Sequence, residues 1–310
     1  MFNYDILLQQ ILNGLVLGSV YALVALGYTM VYGILQLINF THGEVLMVGA
    51  MVGLTAVNAL AGTGLPGPVL LLIAVFAAIP VCVTLSVAIE RLAYRPLRNA
   101  PRLSPLITAI GLSIVLQTIA MIIWKPNPLV FPDLMPTDPI PIGGAILAPK
   151  QILILVVAAI VMSGLLILVN RTKLGRAMRA TAENPKIAGL MGVNANRVIA
   201  STFAIGAALA AIAGVLVALN YNIAQFSMGF FPGLKAFTAA VLGGIGNLGG
   251  AVLGGLLLGL IESLGAGYIG DLTGGFLGSH YQDIFAFAVL IIVLVFRPSG
   301  IMGERVADRA

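Results

Sequence analysis

Two carboxylates, Glu44 and Glu262, stand within or at the edge of long apolar runs. An ionised group is costly there, and it usually faces a protein interior or a water-filled path. Glu44 ends the run Asn39-Phe40-Thr41-His42-Gly43-Glu44, which reads as a capping box. In that reading Thr41 is the N-cap, Glu44 the third helical residue, and Phe40 and Val45 the hydrophobic staple. Glu44 therefore has two readings, cap or pathway group. Glu262 has no local partner and is assigned to the pathway or to a pair inside the bundle. Asn39, Gln117, Asn220, Asn222 and Asn247 are further polar groups; such amides line a route or bond neighbouring helices. Asn39, His42, Glu44, Asn247 and Glu262 form the candidate pathway set.

Other chemistries lack their residues. Gly244-Ile245-Gly246-Asn247-Leu248-Gly249 matches a dinucleotide fingerprint, with Asp271 some way on. The fingerprint needs a preceding strand and an acid that reaches the same ligand, whereas Asp271 follows a long apolar helix. Helix packing explains the glycines better: Gly14/Gly18, Gly49/Gly53, Gly246/Gly250, Gly250/Gly254 and Gly255/Gly259 stand four apart, the spacing for close approach of membrane helices. The sequence has no G-x-x-x-x-G-K-[ST] loop, so if ATP drives this protein another subunit must bind it. His42 and His280 do not make a metal site, and the lone Cys82 supports neither a disulfide nor a Cys-ligated metal. No nucleophile stands beside a base, and the chain is not read as an enzyme.

The elements that hold these residues follow from composition. Of 310 residues 60% are hydrophobic and 9% charged, against about half and a quarter in soluble domains. Lipid is the solvent that accommodates this. The apolar runs are about twenty residues long without period-two alternation, so the expected fold is all-α, a polytopic helical membrane protein and not a barrel. About eight to nine membrane segments, including broken or re-entrant helices, are expected within one transmembrane domain spanning 1–310. The basic residues cluster: Arg91, Arg95, Arg98 and Arg102; then Arg171, Lys173, Arg176, Arg179, Lys186 and Arg197; then Arg297, Arg305 and Arg309. Such clusters mark the cytoplasmic loops, and they are a topology signal before they are a nucleic-acid site. The Pro-rich segment 125–150 and the region near Asp271 and Asp283 then lie outside. Met1 to Asp5 carry no Lys or Arg, so the first apolar stretch is expected to be retained, with the N-terminus outside and three crossings before Arg91.

The runs 6–38 and 236–268 are too long for single straight spans, since 33 residues reach about 50 Å against a hydrocarbon core of about 30 Å. Breaks are predicted near Asn39, with a helix starting at His42, and at Gly243–Gly250, with a half-helix before and a fuller helix from about Ala251. Paired breaks are a sequence pointer to a transport site at a repeat interface, with halves of about 1–150 and 151–310. In the second basic loop, Asn184-Pro185 reads as N-cap and first helical residue, with Gly192 as the stop. A short cytoplasmic helix of about seven residues fits between them, and Asn194 or Asn196 caps the next span.

The stretch Lys173 to Gly192, KLGRAMRATAENPKIAGLMG, leads through Asn196-Arg197-Val198 and Ala213-Gly214-Val215 to Lys235-Ala236-Phe237-Thr238-Ala239-Ala240-Val241-Leu242-Gly243-Gly244-Ile245-Gly246. With Asn39 to Glu44 and the ending Arg297-Pro298-Ser299-Gly300-Ile301-Met302-Gly303, it resembles the LivH-type permeases of bacterial branched-chain amino-acid ABC importers over essentially the whole chain. The resemblance implies a multi-pass subunit of the bacterial inner membrane. It also implies a second, LivM-like permease, two cytoplasmic ATPase subunits that hold ATP and Mg, and a periplasmic solute-binding protein. The short helix becomes the coupling helix that seats in an ATPase groove, carried by Glu183, Asn184, Pro185, Lys186, Gly189 and Gly192. Asn184-Pro185 after Glu183 departs from the E-A-A…G loop of many importers. Three rivals stay open: the same architecture carrying urea, short amides or other amino acids; an ion-coupled carrier using Glu44 or Glu262; and a structural membrane subunit.

Overall fold

The computed structural model describes residues 4–98, 100–101, 103–273, 282–297 and 299–303. Arg102, His280, Pro298, Arg305 and Arg309 lie outside them, as does the side chain of Asp271. The elements run α1 (Tyr4–Leu35), α2 (Thr41–Ala59), α3 (Gly67–Ile89) continued by a π-turn (Glu90–Tyr94), α4 (Leu103–Trp124), β1 (Leu129–Val130), β2 (Ile140–Ile142) and β3 (Ala145–Leu147). After these come α5 (Pro149–Arg171), α6 (Lys173–Glu183), α7 (Pro185–Leu190), α8 (Ala195–Tyr221), β4 (Ile223–Ala224), α9 (Phe230–Gly243), α10 (Leu248–Leu272) and α11 (Gln282–Phe296).

Six of the described helices are long and apolar enough to cross a membrane: those beginning at Tyr4, Gly67, Leu103, Pro149, Ala195 and Leu248. Three more, α2, α9 and the apolar part of α11, add shorter or more polar helices to the bundle. The polytopic helical class is therefore as expected. The strands are an addition to it. β2 and β3 form a small antiparallel hairpin, and β1 pairs with β4, joining the end of α4 to the end of α8.

Polar contacts sort the loops into two ends. Arg98 Nη1 donates to Asn196 Oδ1 at 2.7 Å, so both basic loops meet at one end of the bundle. The β1–β4 pair and the β2–β3 hairpin lie at the other. The start of α1 stands with the hairpin: Gln9 donates to the Ile146 carbonyl at 3.0 Å and accepts from its N–H at 2.8 Å. This geometry agrees with the first two basic loops lying on a single side.

At the centre are α1 and α10, antiparallel and in contact along most of their length. Gly14 and Gly18 of α1 face Leu260 and Leu256 of α10, where a Cβ would stand 2.8 Å from the opposing Cα atoms. Gly259 lies against the backbone of Gly18 in return. Gly14/Gly18 and Gly255/Gly259 thus pair across one interface, where close backbone approach replaces the hydrophobic drive that lipid removes, whereas Gly49/Gly53 face α8, Gly250 and Gly254 face α9, and a Cβ at Gly246 would meet nothing. Gly259→Val is expected to cost well over the roughly 1–3 kcal/mol typical of overpacking, because backbone and not a side-chain tip opposes the new methyls. Gly259→Ala should cost less. The yield and thermal midpoint of monodisperse detergent-purified protein check this, and a wild-type midpoint for Gly259→Val would contradict it.

Candidate functional site

The chain breaks where Asn39 predicts, but the capping box does not form. α2 starts at Thr41, and its N-cap position, Phe40, supplies no side-chain bond. Thr41 Oγ1 instead donates to Asn39 Oδ1, which also accepts from Tyr94 at 2.8 Å. Glu44 turns away from its helix start: its Oε1 accepts from Ser113 at 2.9 Å and from Gln117 at 2.8 Å, both on α4. Of its two readings, the cap is the one the structure overturns. The carboxylate is 1% exposed, and its Oε2 lacks a hydrogen-bond partner.

His42 lies edge-on to the Tyr28 ring at 4.9 Å, against Gly27 of α1 and near Gly206 of α8. Gly27 is eight residues from the basic-side end of α1, or about 12 Å at 1.5 Å per residue. The chain therefore leaves α1, turns back, and starts α2 well inside the bundle. A matching return precedes α9. Chain 222–229 leaves the outer end of α8, and Gly229, just before α9, and Gly233 within it close on Gly43 of α2, with a Cβ at Gly43 standing 2.6 Å from the Gly229 carbonyl oxygen. The two half-helices begin beside each other and run to opposite ends, each presenting the positive end of its dipole at mid-depth. The interruption that faces Asn39 is thus the one before α9. Asn247 sits elsewhere, in the turn from α9 to α10. It caps α10 through Gly250 N–H at 3.0 Å and donates to the Met302 carbonyl at 3.0 Å. That cap starts α10 at Leu248, three residues before the expected Ala251.

Glu262 is paired inside the bundle. Its Oε1 takes Lys235 Nζ at 2.6 Å, and its Oε2 accepts from Tyr21 at 3.0 Å. Lys235 also reaches Asp283 of α11 at 2.7 Å, so one ammonium ties α9, α10 and α11 together. A buried charge left unpaired in this setting would be strongly unfavourable, and the arrangement satisfies both ends of the pair.

Between these clusters lies a cavity of about 440 Å³, walled by α1, α4, α8 and α9. Gln117, which bonds Glu44, and Lys235, which pairs with Glu262, both line it. Leu17, Val20, Val217 and Met228 supply apolar wall between them. Of the five candidate residues, Glu44 and Glu262 bond residues that line this space; Asn39 precedes α2, His42 lies in its first turn, and Asn247 lies apart. Among the other amides, Asn220 joins Gln117 in the lining, while Asn222 is a clasp that donates to Asp133 at 2.6 Å and accepts from Lys150. The residue that sequence reasoning missed is Lys235. The available signal was a lysine outside every basic loop, in a half-helix that had to meet a carboxylate.

At the basic end, α7 has the predicted caps. Asn184 Oδ1 accepts from Lys186 N–H at 3.0 Å and Ile187 N–H at 3.1 Å, Pro185 opens the helix, and Gly192 ends it at φ +83°. The helix has six residues, one fewer than expected. Asn194, and not Asn196, caps α8, accepting from Arg197 N–H at 3.1 Å. Asn196 instead receives Arg98, which also bonds the buried Glu90 at the π-turn. Tyr94, from the same turn, holds Asn39. Side-chain bonds and the π-turn backbone thus connect Asn196, in the first turn of α8, to the break before α2. Ala188 is buried, whereas Ile187, Leu190 and Met191 are 59%, 87% and 82% exposed, forming an apolar knob among charges. The sequence reading named the polar and glycine positions of α7 and overlooked this knob.

Comparison with known proteins adds a line independent of geometry. Residues 10–294 match the family model described as branched-chain amino acid transport system, permease component. The chain is 50% identical over 302 residues, 96% of each chain, to the high-affinity branched-chain amino acid transport system permease protein BraD of Pseudomonas aeruginosa. It is 45% identical over 303 residues, again 96% of each, to the LivH permease protein of Escherichia coli. A probable branched-chain amino acid permease protein of Methanocaldococcus jannaschii is 27% identical over 95% of this chain and 92% of its own.

Proposed function

The chain belongs to the branched-chain amino-acid permease family, and from that premise we propose that it forms one half of an importer's membrane path for leucine, isoleucine and valine. The half-helices of α2 and α9 bound the path at mid-depth. The chain acts as a single permease domain whose halves, about 1–150 and 151–310, each contribute one such half-helix. The sequence holds no phosphate-binding loop, so ATP and Mg belong to two soluble ATPase partners at the basic end. A second, LivM-like permease completes the path, and a periplasmic binding protein delivers the solute at the hairpin end. The setting is the bacterial inner membrane, with the basic loops in the cytoplasm.

The observation that carries this reading is the exposed knob of Ile187, Leu190 and Met191, on a capped helix between two spans. Exposed apolar anchors ringed by polar residues mark a docking site. An ion-coupled carrier would not require such a knob. ATPase closure would pull α7, and through Asn196, Arg98, Glu90, Tyr94 and Asn39 the start of α2, which alternately opens the path to either side.

The carried solute is tested by uptake into proteoliposomes containing the assembly and its binding protein, with labelled leucine competed by other solutes. Isoleucine and valine should compete strongly, urea and short amides should not. Effective competition by urea or acetamide, with little by isoleucine, would replace the branched-chain assignment by its closest rival.

A further inference from the structure

We propose that the cavity between α1, α4, α8 and α9 is a binding site for a zwitterionic amino acid, with Lys235 taking the carboxylate and Gln117 the ammonium group. This deepens the permease reading and rests on it.

Lys235 has three N–H donors, of which Glu262 and Asp283 take two, leaving the third at the cavity wall. The first turn of α9 lines the same wall through Phe230, Phe231 and Pro232, and it brings its helix N-terminus to that side. The Lys235 charge is already matched by Glu262 and Asp283, so what this wall offers an anionic group is the remaining N–H and the helix N-terminus.

Gln117 offers the reverse polarity. Glu44 is a carboxylate and accepts only, so the Gln117 group that points to it is the NH₂. That orientation leaves the Gln117 carbonyl oxygen as the acceptor facing the cavity, backed by a carboxylate whose second oxygen has no hydrogen-bond partner. An ammonium group meets both the acceptor and the negative charge behind it. A ligand with both poles and an apolar side chain fits the polar walls and the aliphatic surface between them. The cavity volume of about 440 Å³ lies within the range of small-molecule sites, roughly 300–1,000 Å³. A purely apolar occupant would leave both poles unanswered, at the cost of unpaired buried polar groups.

The test is equilibrium binding of labelled leucine to the complete permease–ATPase assembly in nanodiscs, without binding protein. The competitors are leucinamide, which lacks the carboxylate, and 4-methylpentanoate, which lacks the ammonium. Each should compete at least about tenfold more weakly than leucine, as sites built around polar groups reject analogues that lack them. Lys235→Gln should abolish the preference for leucine over leucinamide, and Gln117→Met the preference over 4-methylpentanoate. Lys235→Gln with Glu262→Gln, which leaves no unpaired carboxylate at position 262, should match the single Lys235 variant. Wild-type preference ratios in the Lys235 variants would overturn the assignment. Absence of leucine binding in an assembly that imports leucine would overturn the site and leave the permease reading intact, whereas absence of both binding and import would overturn that reading.

Discussion

Replacing Lys235 by Met should destabilise the bundle by about 3–5 kcal/mol, the range for removing one partner of a buried ion pair. Glu262 is 1% exposed and would keep the Tyr21 hydroxyl as its remaining partner. Lipid cannot rehydrate it, so the cost should fall at the upper part of that range. Asp283 is different: its side chain is 40% exposed and can be solvated without Lys235. The double replacement Lys235→Met with Glu262→Leu removes the stranded charge and should recover most of the stability. Thermal midpoints of the purified assembly provide the comparison. Equal losses in the single and double variants would show that the ion pair is not what Lys235 contributes. Recovery of stability without recovery of leucine binding would separate the structural part of the pair from its part in the cavity.

The second large effect is expected at α7. Leu190→Asp puts a charge at the tip of the apolar knob, where an ATPase groove would have to desolvate it. A central docking residue is worth about 2 kcal/mol or more, or at least roughly thirtyfold in affinity. Leu190 is 87% exposed, so the permease itself should fold with an unchanged thermal midpoint. Co-purification of ATPase subunits should fall with transport. Undiminished co-purification would remove α7 from the docking surface. Gly192→Val differs in mechanism, since it strains a residue at φ +83° and alters how α7 is set on α8.

Much of this architecture was legible in the sequence. Local signals did well: Asn184-Pro185 and Gly192 bound α7, the glycine run Gly243–Gly250 marks the turn between α9 and α10, and the spacing of Gly14, Gly18, Gly255 and Gly259 marks the α1–α10 interface, while Asn247, read as a pathway group, is the cap of α10. Long-range pairing was less accessible. Thr41 and Glu44 have the spacing of a capping box, yet Ser113 and Gln117, far along the chain, compete for the same carboxylate and win. Glu262 was recognised as needing a partner, but Lys235 could be assigned to it only once α9 and α10 lay side by side. The break before α9 carries no glycine run like that at Gly243–Gly250, so the sequence drew attention to the turn and away from the interruption that faces Asn39. The β1–β4 pair is two residues per strand, too short for period-two alternation to reveal.

Leucine accumulation in proteoliposomes measures the central claim directly. The vesicles would carry this chain with its second permease and ATPase subunits, and would be supplied with binding protein on the hairpin side and ATP on the side of the basic loops. Accumulation should require ATP and the binding protein, and should be indifferent to an imposed proton gradient. Accumulation driven by a proton gradient in vesicles holding this chain alone, without ATP, would contradict the account and identify a self-contained carrier.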